Sequence, residues 1–369
     1  MHAMTPRPNL DLLRGHRLRL AVALALLAPP LAMAQAPDRV KLTDKTEIIG
    51  TLDTIGPNDV EITDQRDSQA KKISIDRIRE VMLGDEPEAL RNARGLLVRQ
   101  DPAGAIDELD KIEQVELDGA SDRVLAEVAF VKAAATGRLA TLSGTGLAEG
   151  EKSLREFLQK HPRSHHLFQA SELLGDLLVR AGKYDDAAAA FAALDKGPPA
   201  YRVRAATAKA GSFYIQKKYA EAEKEFQAAI GVDTDPKDEA SARQKRDAQA
   251  GRARCLSRQG KAAEAVTIVQ DAIRQADPED RDMLGRAYAA LGDAFRAAGK
   301  DQDAIIAFLT VDLVYNSVPE SHAEALYNLV ALWQKVQKPE RSRDARQVLE
   351  SSYPTSRWAK ALAAAGGKG

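Results

Sequence analysis

Three histidines that lie close together in the chain are the residues whose type and spacing first suggest chemistry. His161, His165 and His166 flank Pro162, and imidazole is a common ligand of Zn²⁺. A metal site needs a third or fourth ligand in convergent geometry. The chain has no HExxH spacing, which would place two histidines on one helix face. We therefore predict an exposed loop between helices here, with no metal bound.

The single cysteine and the paired carboxylates indicate little catalytic chemistry. Cys255 falls in a helical pattern, where a buried or half-buried structural thiol is expected rather than a nucleophile with a base beside it. Pairs such as Asp185-Asp186 and Glu279-Asp280 fall near helix starts, where they complement the helix dipole. No GxSxG, Walker A or GxGxxG motif is present. The sequence therefore predicts no catalytic residues and no cofactor.

Length and composition favour an extended helical protein. With 369 residues, the chain is too long for one compact core of ordinary size, which predicts two or more domains or an elongated repeat array. Only 5% of its residues are aromatic, whereas residues 201–300 contain 24 alanines, a composition that favours close-packed helices. The 53 basic and 54 acidic side chains nearly cancel, so no global basic field indicates nucleic acid. One cysteine excludes an intrachain disulfide.

The first 34 residues have the pattern of an export signal. Four arginines precede an apolar run from Leu20 to Ala28, and Ala32-Met33-Ala34 forms a cleavage site before Gln35. A retained membrane anchor is the alternative. The apolar run is shorter than the ~20 residues that a bilayer requires, and the two prolines that follow it would break a helix. We expect export to the periplasm or the medium, no membrane span after cleavage, and a mildly acidic mature chain.

Residues 37–84 change to a period of two. Apolar and polar residues alternate at Val40 and Leu42, at Val60 and Ile62, and at Ile73 and Ile75. The segment resembles small SH3-like or Sm-like barrels, with Gly50 at the bend that such a barrel needs. No aromatic side chain lies among its basic residues to stack on a base, so nucleic-acid binding is not expected. We expect a docking or capping module that leans on the following helices.

From residue 86 onward a helical pattern recurs. The clearest copy has Leu291-Gly292, Ala304 and Phe308, followed by Pro319. A second copy has Leu174-Gly175, Ala187, Phe191 and Pro199, a third has Ala210, Ala222 and Phe226, and a fourth has Leu256, Ala265 and Val269. This recurrence resembles the tetratricopeptide repeat (TPR), a 34-residue helix pair with small and bulky residues at fixed positions.

The resemblance implies a mainly α protein, a right-handed superhelix of helix pairs preceded by the small β module. Six or seven irregular repeats are expected in residues 86–355, with a capping helix and a disordered tail in residues 356–369. Turn positions between paired helices fall at Gly182, Lys217, Gly260 and Gly299. Two further phrases, FLQKHPRS and LESSYPTS, resemble helix junctions of bacterial periplasmic repeat proteins, which implies location rather than a particular partner.

In TPR arrays the first helix of each pair lines a concave groove. Carried onto this chain, the resemblance places the following partner-binding candidates in that groove: Glu172, Asp176, Arg180, Arg204, Thr207, Tyr214, Arg254, Arg258, Arg286, Asp293 and Arg296. With Asp247 added, the groove has six arginines and four acids. We expect the arginines to bind an extended peptide or a carboxylate-bearing segment through paired hydrogen bonds. The alternative is that they form ion pairs with the acids inside the groove.

These features predict a non-enzymatic, exported scaffold or adaptor that binds protein partners of the cell envelope in its groove. Replacing Arg254, Arg258 and Arg296 by alanine should then abolish partner capture with little change in melting temperature. One alternative is an accessory subunit of an envelope enzyme, or a protein that binds a glycan or small ligand through the β module. Another is a structural protein that assembles end to end through uncapped repeats. The identity of the partner and the oligomeric state are not encoded in any motif.

Overall fold

The computed structural model describes residues 36–366. The predicted export signal lies outside the described residues, as do residues 367–369 of the predicted tail. Within residues 36–366, no helix is both long and apolar enough to cross a membrane. A small sheet comes first in the chain, and sixteen helices follow it.

The sheet is antiparallel and has five strands in the order β4-β3-β2-β1-β5. The strands are β1 (Asp38–Leu42), β2 (Glu47–Ile55), β3 (Asp59–Asp64), β4 (Ala70–Ser74) and β5 (Ile78–Met82). All six residues of the predicted alternation are buried, which confirms the period of two. Gly50 lies in β2, where a Cβ atom would come 1.9 Å from the backbone oxygen of Thr63. A side chain at this position is therefore excluded by the close approach of β3.

The helices form seven consecutive pairs and a terminal helix within the described part of the chain. They are α1 (Glu88–Val98), α2 (Pro102–Leu109), α3 (Gln114–Asp118), α4 (Asp122–Ser143), α5 (Leu147–Lys160), α6 (Leu167–Arg180), α7 (Tyr184–Ala192), α8 (Pro199–Ile215), α9 (Tyr219–Gly231), α10 (Glu239–Arg258), α11 (Ala262–Gln275), α12 (Arg281–Ala297), α13 (Asp301–Leu313), α14 (Pro319–Lys335), α15 (Pro339–Ser352) and α16 (Arg357–Gly366). The pairs are α1–α2 and then α4–α5 through α14–α15. Helix α3 is a single short turn between the first two pairs.

The turn between the two helices of each pair has the same backbone conformation. A residue in the left-handed region follows the first helix of every pair, with φ between 60° and 79°: Gln100, Gly144, Gly182, Lys217, Gly260, Gly299 and Gln337. In six of these turns the N–H of the next residue donates to the carbonyl five residues earlier, over 2.8–3.0 Å. This hydrogen bond satisfies a carbonyl that the helix end leaves free. The four turn positions expected from the sequence are all among the seven.

Glycine on a first helix makes room for an aromatic ring on its partner helix. A Cβ atom on Gly292 would lie 2.7 Å from the ring of Phe308, and one on Gly175 would lie 2.2 Å from the ring of Phe191. Both rings are fully buried. In the pair α8–α9, Phe226 of α9 instead packs against Gly251 of α10, the following first helix. The small residues are thus explained by ring packing, which sets how closely the helices approach.

The β module packs on the first helices rather than standing alone. One continuous cluster of buried residues runs from Val40 in β1 to Ala205 in α8. At the start of α4, the guanidinium of Arg123 donates to the backbone oxygens of Leu52 and Asp53 over 2.7 and 3.0 Å. A sheet of this size has a thin core, so burial against helices supplies much of its stability.

The repeat register predicts that Ala304→Leu will lower the free energy of unfolding by roughly 1–3 kcal/mol through overpacking. Ala304 is fully buried on α13 and belongs to the same cluster as Phe308 and Leu326. Gln302→Leu, at an exposed position of the same helix, is the matched control and should change stability by no more than about 0.5 kcal/mol. Chemical denaturation measures both variants. Equal stabilities would contradict the register.

Candidate functional site

The groove residues predicted from the sequence lie on the first helices of four consecutive pairs. Helix α6 provides Glu172, Asp176 and Arg180; α8 provides Arg204, Thr207 and Tyr214; α10 provides Arg254 and Arg258; and α12 provides Arg286, Asp293 and Arg296. Their helices are therefore placed as the repeat pattern predicts. Partner binding at these residues stays a prediction. Their contacts within the chain show which side chains are already paired.

Five of the six groove arginines form ion pairs within residues 36–366, three of them between neighbouring first helices; Arg180 forms none there. Arg204 on α8 donates to Glu172 on α6 through two nitrogens, with Nε 2.9 Å from the carboxylate. Arg286 on α12 likewise donates to Asp247 on α10 over 2.9 and 2.8 Å. A carboxylate paired in this way neutralises the guanidinium and occupies its fork of donors. This arrangement is the alternative to partner binding that the sequence left open.

Asp293 gathers two further groove arginines. Its buried carboxylate lies 3.4 Å from the guanidinium of Arg258 and 2.9 Å from that of Arg296. Nε of Arg258 also donates to the hydroxyl of Tyr214 over 3.4 Å. The Thr207 hydroxyl donates to the carbonyl of Val203 over 2.8 Å, within its own helix. These polar groups stabilise one another.

Arg254 forms an ion pair with a residue that lies 70 positions later in the chain. It donates to the buried carboxylate of Glu324 on α14 over 2.5 and 2.8 Å, joining first helices that are two pairs apart. Burial opposes the charge of Arg254, but the ion pair with Glu324 outweighs it and raises the pKa of the guanidinium. Removing this arginine would leave a buried charge unpaired. The expectation that its loss would little affect the melting temperature is therefore corrected.

A cavity of about 860 Å³ opens at the N-terminal end of the array, between β1, β5, α1, α4 and α6. Buried Leu97, Phe130 and Val131 form part of its wall, whereas Val98 and Leu142, which also line it, are 70% and 69% exposed. Large apolar side chains at this exposure are typical of a binding surface when they border a concave site. The cavity was not predicted, because it is built from elements that are distant in the chain.

Four charged side chains of the cavity lack an ion-pair partner among the described residues: the exposed Arg79 and Arg99, and Arg138 and Asp176. Half-buried Arg138 donates to the carbonyl of Leu97 over 3.1 Å, and burial lowers the pKa of its guanidinium. Asp176 has an exposed surface but lies in the concave wall, where desolvation by the surrounding protein raises the pKa of its carboxyl to about 6. A partly desolvated guanidinium without a carboxylate favours an anionic ligand group.

The histidine segment is not the exposed loop that the sequence predicts. His165 is 6% exposed, and the side chain of His166 is 15% exposed. Their Nε2 atoms lie 3.5 and 3.1 Å from Oε1 of Glu127, a buried residue of α4. Glu127 is the third potential metal ligand that the sequence analysis missed. Its signal was present, since Glu127 falls between Val124 and Val131 at the spacing of an apolar helix face.

Burial and neighbouring charges set the protonation of this cluster. Burial opposes ionisation of Glu127, but the neighbouring His166, His165 and Arg94 outweigh it and hold the pKa of the carboxyl at about 2. Burial, with the neighbouring His166 and Arg94, lowers the pKa of His165 to about 3. Near neutral pH, Glu127 is thus ionised and His165 is neutral.

The other chemical candidates lie apart from the cavity. His161 stacks on Phe157 with ring centroids 5.3 Å apart and does not belong to the histidine–glutamate cluster. Cys255 is buried in α10, and burial raises the pKa of its thiol to about 12. A thiol that stays protonated at neutral pH is a poor nucleophile. Its surroundings fit the structural role that the sequence favours.

No protein-family model matches the chain, and no curated protein matches it. Solved structures do match. A tetratricopeptide repeat protein from Parabacteroides merdae superposes with a TM-score of 0.53 at 17% identity, covering 74% of this chain and 96% of its own. The apo form of RapI gives a TM-score of 0.52 at 11% identity, covering 73% and 77%. A Rap protein solved in complex with the competence and sporulation factor gives 0.51 at 15%, with the same coverage.

At these identities the matches show a shared fold and nothing more. The repeated glycine–aromatic contacts and the repeated left-handed turns agree with that fold. The chain therefore has the fold of the tetratricopeptide-repeat proteins, an α-solenoid of helix pairs preceded by a small antiparallel sheet.

Proposed function

We propose that this protein is a non-enzymatic, exported scaffold of the cell envelope that binds an extended segment of another protein on its concave side. The fold supports a binding role, because repeat solenoids present extended concave surfaces to partners. A Rap protein of the same fold was solved bound to the competence and sporulation factor. Export is inferred from the basic and apolar pattern of residues 1–34.

The cavity of about 860 Å³ is the observation that carries the proposal. It combines an apolar wall, the exposed side chains of Val98 and Leu142, and the guanidinium of Arg138, which has no ion-pair partner within residues 36–366. The C-terminal part of the groove, by contrast, has its arginines engaged with acids of the same chain. We therefore place the binding site at the N-terminal end, with apolar side chains of the partner in the cavity and a partner carboxylate on Arg138.

The alternative role assigns ligand binding to the β module. That module contributes to the same cavity through Lys41 of β1 and Val81 of β5. Lys41 is paired with Glu80 over 3.1 Å, so it offers a weaker anion site than Arg138. A ligand that binds the isolated module, residues 37–84, but not the helical array would favour the alternative. A ligand that requires Arg138 favours the shared cavity.

Arg138→Ala is expected to weaken binding of the captured segment by about 10- to 100-fold, since a hydrogen bond to a charged group contributes roughly 1.5–3 kcal/mol. A photocrosslinking residue at Leu142 captures the partner in cells, and fluorescence anisotropy of the identified segment measures the affinity. Lys132→Ala is the matched control, because Lys132 is an exposed cation of the same helix and does not line the cavity.

A second control uses the same crosslinker at Ile306, which is 63% exposed on α13. The proposal requires a discrete adduct from Leu142 that is absent from Ile306 and is lost in the Arg138 variant. Capture that is equal at both positions, or unchanged by Arg138→Ala, rejects the cavity as the binding site.

A further inference from the structure

The buried cluster of Glu127, His165 and His166 has the dimensions of a coordination site. Nε2 of His165 and Nε2 of His166 lie 3.5 and 3.1 Å from Oε1 of Glu127, and the three potential ligand atoms lie within 4.8 Å of one another. A tetrahedral ion with bonds of about 2.0–2.2 Å separates its ligands by roughly 3.3–3.6 Å. The two separations from Oε1 are thus close to those around a small divalent ion, and the third is at most 4.8 Å.

A neutral His166 can donate a proton to only one of its two neighbours, Glu127 and Gln169. Its Nε2 faces Glu127, and its Nδ1 lies 3.3 Å from Oε1 of Gln169. A neutral imidazole carries one N–H and one lone pair. When Nδ1–H donates to the amide oxygen, Nε2 directs its lone pair toward a carboxylate. In this tautomer Nε2 can bind a cation placed between it and Glu127. In the other tautomer, Nε2–H donates to Glu127 and the amide of Gln169 turns its nitrogen toward Nδ1.

His165 has no competing role in the described part of the chain. It is 6% exposed, and its side chain makes no hydrogen bond to another residue of 36–366, although it is aimed at Glu127. The 3.5 Å between its Nε2 and Oε1 of Glu127 is longer than an ordinary hydrogen bond and matches the separation of two atoms bound to one ion. An ion bound between His165 and Glu127 supplies a partner for the imidazole.

The charges around the cluster also call for a cation. Buried Glu86 and Glu127 share the guanidinium of Arg94, which lies 2.8 Å from the first and 3.5 Å from Oε2 of the second. Oε1 of Glu127, the atom nearest both imidazoles, is left for another cation. Arg94 then holds the other oxygen, in the manner of the outer-shell partners of metal ligands.

We propose that Glu127, His165 and His166 bind Zn²⁺ or a related first-row divalent ion at the wall of the cavity. Two imidazole nitrogens and one carboxylate form a three-residue set with an open coordination position, and imidazole-rich sites favour this class of ion. Glu127 and His166 line the cavity, so the open position faces it. Water, or a donor atom of a segment bound in the cavity, completes the coordination.

Equilibrium dialysis of the purified, tag-free protein against ZnCl₂, followed by elemental analysis, tests the site. Wild-type protein is expected to bind one Zn²⁺ per chain. Glu127→Gln, His165→Gln and His166→Gln should each bind at least about tenfold more weakly, the lower end of the loss seen when even an outer-shell partner is removed. His161→Gln is the matched control, a histidine four residues before His165 that lies outside the cluster, and it should bind as wild type does.

The rival explanation is a protonated His166, which needs no metal. Under it the wild-type protein binds no Zn²⁺, and that result overturns the proposal. Equal binding by the wild type and the three cluster variants, or loss of binding in His161→Gln, overturns it as well. If Glu127→Gln fails to fold by circular dichroism, His165→Gln decides, because His165 makes no hydrogen bond to another described residue. The test uses the metal alone, so it is independent of partner binding.

Discussion

Arg254→Ala is expected to lower the free energy of unfolding by about 3–5 kcal/mol, the cost of leaving one member of a buried ion pair without its partner. Glu324 is buried on α14, and its carboxylate accepts from both terminal nitrogens of Arg254 on α10. The variant leaves that carboxylate desolvated and unpaired at neutral pH. Because the pair joins first helices that are two pairs apart, its loss also removes a connection across the array. Denaturant titration with circular dichroism measures the change.

Arg286→Ala is the matched control for this prediction. Its partner, Asp247, also lies on a neighbouring first helix, but the two side chains are 38% and 27% exposed. A pair of this exposure contributes no more than about 1 kcal/mol. The double variant Arg254→Ala with Glu324→Ala should regain part of the lost stability, since it removes the buried charge as well. Equal losses for Arg254→Ala and Arg286→Ala would contradict the role of burial.

Phe308→Ala is expected to lower the free energy of unfolding by about 3–5 kcal/mol, the usual cost of removing a fully buried ring. Phe308 has no exposed surface, and its ring lies against Gly292 of its own pair. It also belongs to the cluster that contains Leu326 and Leu329 of the next first helix. The cavity left by alanine therefore loosens two interfaces at once. In a solenoid, where each repeat contacts only its neighbours, such a site couples the stability of adjacent repeats.

Ile306→Ala tests whether this cost comes from packing rather than from any apolar truncation on α13. Ile306 lies on the same helix and is 63% exposed, so its truncation should change stability by no more than about 0.5 kcal/mol. Chemical denaturation of both variants gives the comparison. A loss below about 1 kcal/mol for Phe308→Ala would be inconsistent with the ring as a shared anchor.

The helical array was predictable because its sequence signals are local. Gly299 ends a first helix with φ of 73°, and Lys217 takes the same backbone form without being glycine. Their positions followed from the spacing of small and bulky residues, since a helix pair with a short turn constrains residues that are close in the chain. The contact of Gly292 with Phe308 was predictable for the same reason, since both residues lie in one helix pair. The strands of residues 38–82 followed from alternation in the same way.

The contacts of the candidate site were less predictable, because they join residues far apart in the chain. Sequence pattern placed Arg254 on a first helix, but its partner Glu324 lies 70 residues away. Likewise, the pattern identified His165 and His166 but not Glu127, which lies 39 residues before His166 on another helix. Glu324 lies on α14 with buried Ser321 and Asn328, whereas Glu127 lies on an otherwise apolar helix face. A carboxylate in such a position is a sequence signal for burial, but it does not name its partner.

By itself, the sequence determined the elements: the short strands, the repeated helix pairs, the left-handed turns and the glycines that accept aromatic rings. These depend on backbone preference and on apolar spacing within a few tens of residues. Only the tertiary structure decided which charged side chains form pairs. The stacking of repeats brings together side chains from helices that are not consecutive in the chain. The tertiary structure therefore decided that five of the six groove arginines pair with acids of the same chain. It also decided that Glu127, His165, His166 and Arg138 line or border one cavity between the sheet and the first helices.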